Sequence, residues 1–192
     1  TTNAVEKNFA RYCNLFEQGR PTSAAIIKSI QEKAPAEQAK MIQERMDKAG
    51  ANKHLYYPVL AATGAKEAVA PIVEGYKSTT GEAQKAAFEV LCALNDASVL
   101  PTLLEATANA ELKDKAIARY IELTGASTLN NDQKYMNYRK ALETNPALKY
   151  KNQALKALSA TQNYQAMMLA AEYMDNAETA QAAANTVLEI AT

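Results

Sequence analysis

The chain has 192 residues with zero formal net charge, 48% hydrophobic and 22% charged side chains. It holds 39 alanines against 15 valines and isoleucines and six glycines, a balance that suits helices and suits sheets poorly. That composition excludes a disordered tail, a collagen and a disulfide-rich miniprotein. No apolar run approaches the ~18 residues needed to cross a bilayer, and the even charge removes the electrostatic case for nucleic acid or an anionic membrane.

In chain order the apolar spacing predicts helix after helix. The first covers 3–18, with Val5, Phe9, Tyr12, Cys13 and Phe16 on one stripe, and Gly19 and Pro21 stop it. Thr22 is placed to cap a second over 23–34, with Ile26, Ile27 and Ile30 inward. Pro35 suits the first turn of a third over 35–49, whose stripe is Ala39, Ile42 and Met46. A fourth over 52–62 is the weakest, because Pro58 falls inside it. Further helices are expected near 66–77, 82–94, 97–109, 111–124, 132–144, 147–160, 162–174 and 177–191. Asp96, Asn131, Asn145 and Asn176 stand where N-caps belong, and Gly64, Gly81 and Gly125 fall between helices. Met167, Met168 and Met174 are assigned to the core, and Cys13 and Cys92 read as buried thiols.

Alternate helices start near 66, 97, 132 and 162, and a period of that size marks a repeat architecture. Val69-Ala70-Pro71 matches Val99-Leu100-Pro101, with the prolines 30 positions apart. The following helices align on Ala87, Ala116, Ala154 and Ala184, read as small residues that let helix axes approach closely. A hairpin of two helices cannot bury both apolar faces alone, and stacking hairpins gives each face a neighbour. The expected fold is all-α: a right-handed α-α superhelix, or solenoid, of about six antiparallel helix pairs. It forms one domain over 1–192, with divergent pairs over 1–62 and regular repeats over 63–192. The chain opens Thr1-Thr2-Asn3 and closes in mid-helix by pattern, so it reads as a segment of a longer protein.

The junction over 60–73, a small-residue turn at Ala61-Ala62-Thr63-Gly64 followed by Val69-Ala70-Pro71, resembles that of the HEAT-repeat family. Asn95-Asp96-Ala97-Ser98-Val99-Leu100-Pro101 repeats it with an Asp at the turn, and Lys85 stands where the family has a basic residue early in its inner helix. The later repeats depart, since 135–141 and 164–170 lack the proline. Leu129-Asn130-Asn131-Asp132-Gln133-Lys134-Tyr135 with Tyr138-Arg139-Lys140-Ala141-Leu142, and likewise 164–170, resemble HEAT-like regions of large secreted Bacteroidetes-type proteins that carry a 3-keto-disaccharide (glycoside) hydrolase domain of jelly-roll type. The resemblance implies an extracytoplasmic (periplasmic or cell-surface) setting beside a carbohydrate-active domain. No jelly-roll strand pattern exists in this chain.

Reactive constellations are sparse. His54, the only histidine, has no Cys or Asp at ligand spacing, so no metal and no cofactor is expected. No Gly-x-Ser-x-Gly elbow and no phosphate loop occurs. Glu67, Glu74, Glu82, Glu89, Glu105, Glu111 and Glu122 fall at positions typical of solvated helix faces. The compositional oddity is ten tyrosines against three phenylalanines and no tryptophan. Tyrosine can fill gaps between helices while its hydroxyl reaches a partner. As an exposed row, Tyr56, Tyr57, Tyr120, Tyr135, Tyr138 and Tyr164 would form an interaction surface. The expected function is a non-catalytic interaction or scaffolding module that binds a protein partner or an adjoining domain of its own chain. The alternatives are a carbohydrate-binding module using concave-face tyrosines and, behind it, a carboxylate-based hydrolase.

Overall fold

The computed structural model describes residues 2–192, with side chains from Asn3 onward, and Thr1 lies outside the described residues. The described residues form twelve α-helices and no strand. None of the helices is long and apolar enough to cross a membrane. The chain divides into two compact units, Thr1–Leu94 and Asn95–Thr192.

The first unit holds α1 (Thr2–Glu17), α2 (Ser23–Ser29), α3 (Pro35–Lys48), α4 (Tyr57–Ala62), α5 (Val69–Ser78) and α6 (Gly81–Ala93). Pro58 breaks nothing. A 3-10 segment, Gly50–Tyr56, carries the chain to Tyr57, and α4 begins there, so the proline sits in a first turn where its missing N–H is not needed. Consecutive helices pack as hairpins, α1 on α2, α3 on α4 and its 3-10 lead, and α5 on α6. One helix of each hairpin then meets its counterpart in the next, α2 on α4 and α4 on α6.

The second unit holds α7 (Leu100–Ala106), α8 (Lys113–Ala126), α9 (Asn131–Glu143), α10 (Leu148–Leu158), α11 (Tyr164–Ala171) and α12 (Ala180–Ala191). Its hairpins are α7–α8, α9–α10 and α11–α12, and again α8 meets α10, α10 meets α12 and α9 meets α11. In both units hydrogen bonds join residues 31 positions apart on successive hairpins. Thr186 Oγ1 donates to the Leu155 carbonyl at 2.7 Å, Arg45 Nη2 to Asn14 Oδ1 at 2.7 Å, and Asn163 Nδ2 to Asp132 Oδ1 at 3.5 Å.

Ala87, Ala116 and Ala154 are fully buried, as their alignment predicts. In α12 the register differs by one residue. Ala183 is the buried alanine and Ala184 is half-buried, because Ala183 and Thr186, one turn apart, share the face turned to α10. Other local expectations also shift. Asn130, not Asn131, caps α9, in a reciprocal capping box with Gln133. Asn145 is no cap. It ends α9 in the left-handed conformation at φ +48°, which asparagine tolerates, and Ala147 takes the cap position of α10. Asp96 does cap, accepting from the Ser98 N–H, and Asn163 caps α11 without having been singled out. Thr22 holds the cap position of α2, but its hydroxyl turns away to donate to the Tyr12 carbonyl of α1. Gly125 lies inside α8, and Met168 and Met174 are exposed on the surface of the second unit. Cys13 is a buried thiol and Cys92 a half-buried one.

Candidate functional site

Four of the six singled-out tyrosines are not on the surface. Tyr56, Tyr57, Tyr120 and Tyr138 are each at most 2% exposed, because each fills a gap between helices. Tyr57 lies across α5 where Gly75 leaves room: a Cβ on Gly75 would come within 2.8 Å of the Tyr57 ring. Tyr138 uses Gly125 of α8 in the same way, with its hydroxyl 3.2 Å from where a Cβ would stand. Burial pushes the Tyr57, Tyr120 and Tyr138 phenols above their ordinary value.

Tyr56 belongs to a buried polar knot in the first unit. Its ring meets Phe16 edge-on at 5.2 Å, and its hydroxyl donates to Glu17 Oε1 at 2.6 Å. The Arg45 guanidinium holds the same carboxylate from α3. Burial first, then the bond to Glu17, raises the Tyr56 phenol far above its ordinary range. These bonds fasten α1, α3 and the 3-10 segment to one another.

The remaining two tyrosines come together. Tyr135 of α9 is half-buried, Tyr164 of α11 is 68% exposed, and both line one groove of about 300 Å³ in the second unit. The α-helical spacing builds its walls. Tyr135, Arg139 and Glu143 stand four apart on α9, and Tyr164, Met168 and Glu172 four apart along α11 and its C-cap, with Tyr173 beside them. Arg139 Nε donates to Glu143 Oε1 at 3.0 Å. The Glu143 carboxylate and, after it, the Tyr135 hydroxyl hold Arg139 above its ordinary value. Burial, then Glu172 and Glu143, push the Tyr173 phenol up. Arg139, Glu143, Met168, Glu172 and Tyr173 complete the groove without having been singled out as site residues. The i, i+4 series from Tyr135 could have found Arg139 and Glu143, and that from Tyr164 could have found Met168 and Glu172.

Three other grooves are larger; the widest, about 790 Å³ between α3 and α5, is an open face lined by Lys40, Gln43, Glu67, Pro71 and Glu74 without an aromatic ring. One, about 390 Å³ between α1 and α3, mixes Lys33, Lys40 and Lys48 with Glu6, Glu37 and Glu44, and Lys33 is spent on Glu37 at 2.6 Å. Another, about 630 Å³ between α10 and α12, carries Lys149, Gln153, Lys156 and Asn185 and no aromatic ring. The seven glutamates considered for acid–base work are all exposed. His54 is half-buried, and no group of three or more His, Cys, Asp or Glu residues that could hold a metal ion occurs among the described residues.

The fold and site thus define an all-α protein of packed helical hairpins with one aromatic, charged groove in its second unit. No family model matches the chain, and comparison with curated proteins and with solved structures likewise gives no match.

Proposed function

We propose that the chain is a non-catalytic interaction and scaffolding module built from six HEAT/armadillo-like helix pairs, stacked within each unit as a right-handed α-α superhelix. The observation that carries this reading is the contact between positions 31 residues apart in both units, which is how stacked repeats meet. Stacked hairpins present long, rigid, side-chain-lined faces, and such faces bind extended partners. Within the second unit the partner surface is the groove between α9 and α11, where Tyr135 and Tyr164 stand. The extracytoplasmic setting, and attachment to a carbohydrate-active domain, rest on the family resemblance of 129–142 and 164–170.

Carbohydrate binding is the second reading, favoured by the two tyrosines that share this groove. The test is selection of a displayed library of random twelve-residue peptides on the full chain, followed by mapping of each binder through amide chemical shifts. An interaction module yields binders that map to one face. A library without a single binder contradicts it.

A further inference from the structure

The groove between α9 and α11 is rich in acceptors and carries a net negative charge. Glu143 and Glu172 supply two carboxylates, and the three phenol oxygens of Tyr135, Tyr164 and Tyr173 can accept as well. Arg139, the only cation in the lining, is already held by Glu143, whereas the Glu172 side chain has no ion-pair or hydrogen-bond partner among the described residues. The lining charge is therefore minus one, from two carboxylates and one guanidinium. Tyrosine rings carry negative faces that attract cations. Tyr164 offers such a face at 68% exposure, and Tyr173 already stands in the field of both carboxylates. Met168, 48% exposed, adds a flexible thioether surface for an aliphatic stem.

We propose that this groove seats the cationic side chain, arginine or lysine, of a partner polypeptide. The proposal rests on the module reading above and adds the chemistry of the partner. A neutral sugar fits less well, because it brings no charge to answer the negative lining, although the Arg139 Nη groups, the Gln165 amide and the phenol hydroxyls could donate to it. A basic side chain brings its own donors and finds a carboxylate at Glu172 and an aromatic face at Tyr164.

The test uses the peptides selected on the full chain. The expected result is enrichment of arginine or lysine at one peptide position and perturbed signals of Tyr164 and Tyr173. Replacing that arginine by its neutral isostere citrulline, or the protein's Glu172 by glutamine (Glu172→Gln), should each weaken binding about fivefold. Tyr164→Ala should do the same, and both residues are exposed, so the fold is not at risk. If peptides bind without a basic residue, bind elsewhere, or bind equally to Glu172→Gln, this inference falls and the module reading stands. If no peptide binds while a β-linked glucose tetramer shifts Tyr164, both fall and the carbohydrate reading replaces them.

Discussion

Arg45 grips Glu17 with two parallel hydrogen bonds, Nε to Oε1 at 2.9 Å and Nη2 to Oε2 at 2.8 Å. The residues are 28 positions apart, on α3 and α1, and both side chains are mostly out of solvent. Such charge-assisted forks are the stronger class of protein hydrogen bond. Glu17→Ala would leave the Arg45 guanidinium and the buried Tyr56 hydroxyl without their acceptor, at a cost of about 2 kcal/mol in urea unfolding.

The same pair sets a pH dependence. Burial alone would raise the Glu17 carboxyl, but the bonds from Arg45 and Tyr56 and the Arg45 charge outweigh it and hold the group below its ordinary value. The unfolded chain therefore takes up this proton at a higher pH than the folded one. The contribution to stability is full above the unfolded value of about 4.3 and is lost as pH falls through the lower folded value. Glu17→Gln should flatten this part of the acid limb, so the gap in unfolding free energy between wild type and variant narrows as pH falls from about 6 to about 3. A constant gap contradicts this assignment.

Gly75 and Gly125 should respond unequally to alanine. In an open helix either change gains up to about 1 kcal/mol. At Gly75 the new Cβ would strike the buried Tyr57 ring, so Gly75→Ala should destabilise by about 1–3 kcal/mol. At Gly125 the neighbour is a hydroxyl at 3.2 Å, and Gly125→Ala combined with Tyr138→Phe removes that contact. Thermal unfolding of the double variant should then exceed that of Tyr138→Phe alone.

The alanine contacts make a register prediction. Ala87→Leu and Ala116→Leu should each overpack a fully buried site by about 1–3 kcal/mol. In α12, Ala183→Leu should cost more than Ala184→Leu, since only Ala183 is buried. Equal melting temperatures for these two variants would mean that α12 is turned differently on α10.

Two buried threonines should give opposite signs with valine. Thr186 donates to the Leu155 carbonyl at 2.7 Å, so Thr186→Val should lose about 1 kcal/mol. The Thr124 hydroxyl is buried without a hydrogen-bond partner, so Thr124→Val, of the same shape, should be neutral or stabilising. Chemical denaturation of the two variants distinguishes these outcomes.

The helices were legible because their apolar spacing and breakers act locally. Gly19, Pro35 and Gly64 mark boundaries that any neighbour would leave in place. The tyrosines were not, since the spacing that puts Tyr135 and Tyr138 on adjoining helix positions does not say which one a neighbouring helix covers. That is decided across the helix pair, where Gly125, thirteen positions away on α8, leaves room for the Tyr138 hydroxyl. The caps at Asn130 and Asn163 show the same limit at short range, because a run such as Asn130-Asn131 offers two candidates and only the partner, Gln133, chooses. The groove needed both α9 and α11 in place, and no single helix carries its chemistry.

The most direct test of the stacked-hairpin account is native-state hydrogen exchange, resolved helix by helix on the full chain. Within the second unit α10 packs on α8, α9, α11 and α12, while the main contacts of α12 are with α10, α11 and the short turn after α10. A stack of hairpins therefore predicts that α11 and α12 open together, at a lower free energy than α8 and α10. A single opening free energy shared by every helix from α7 to α12 would contradict it.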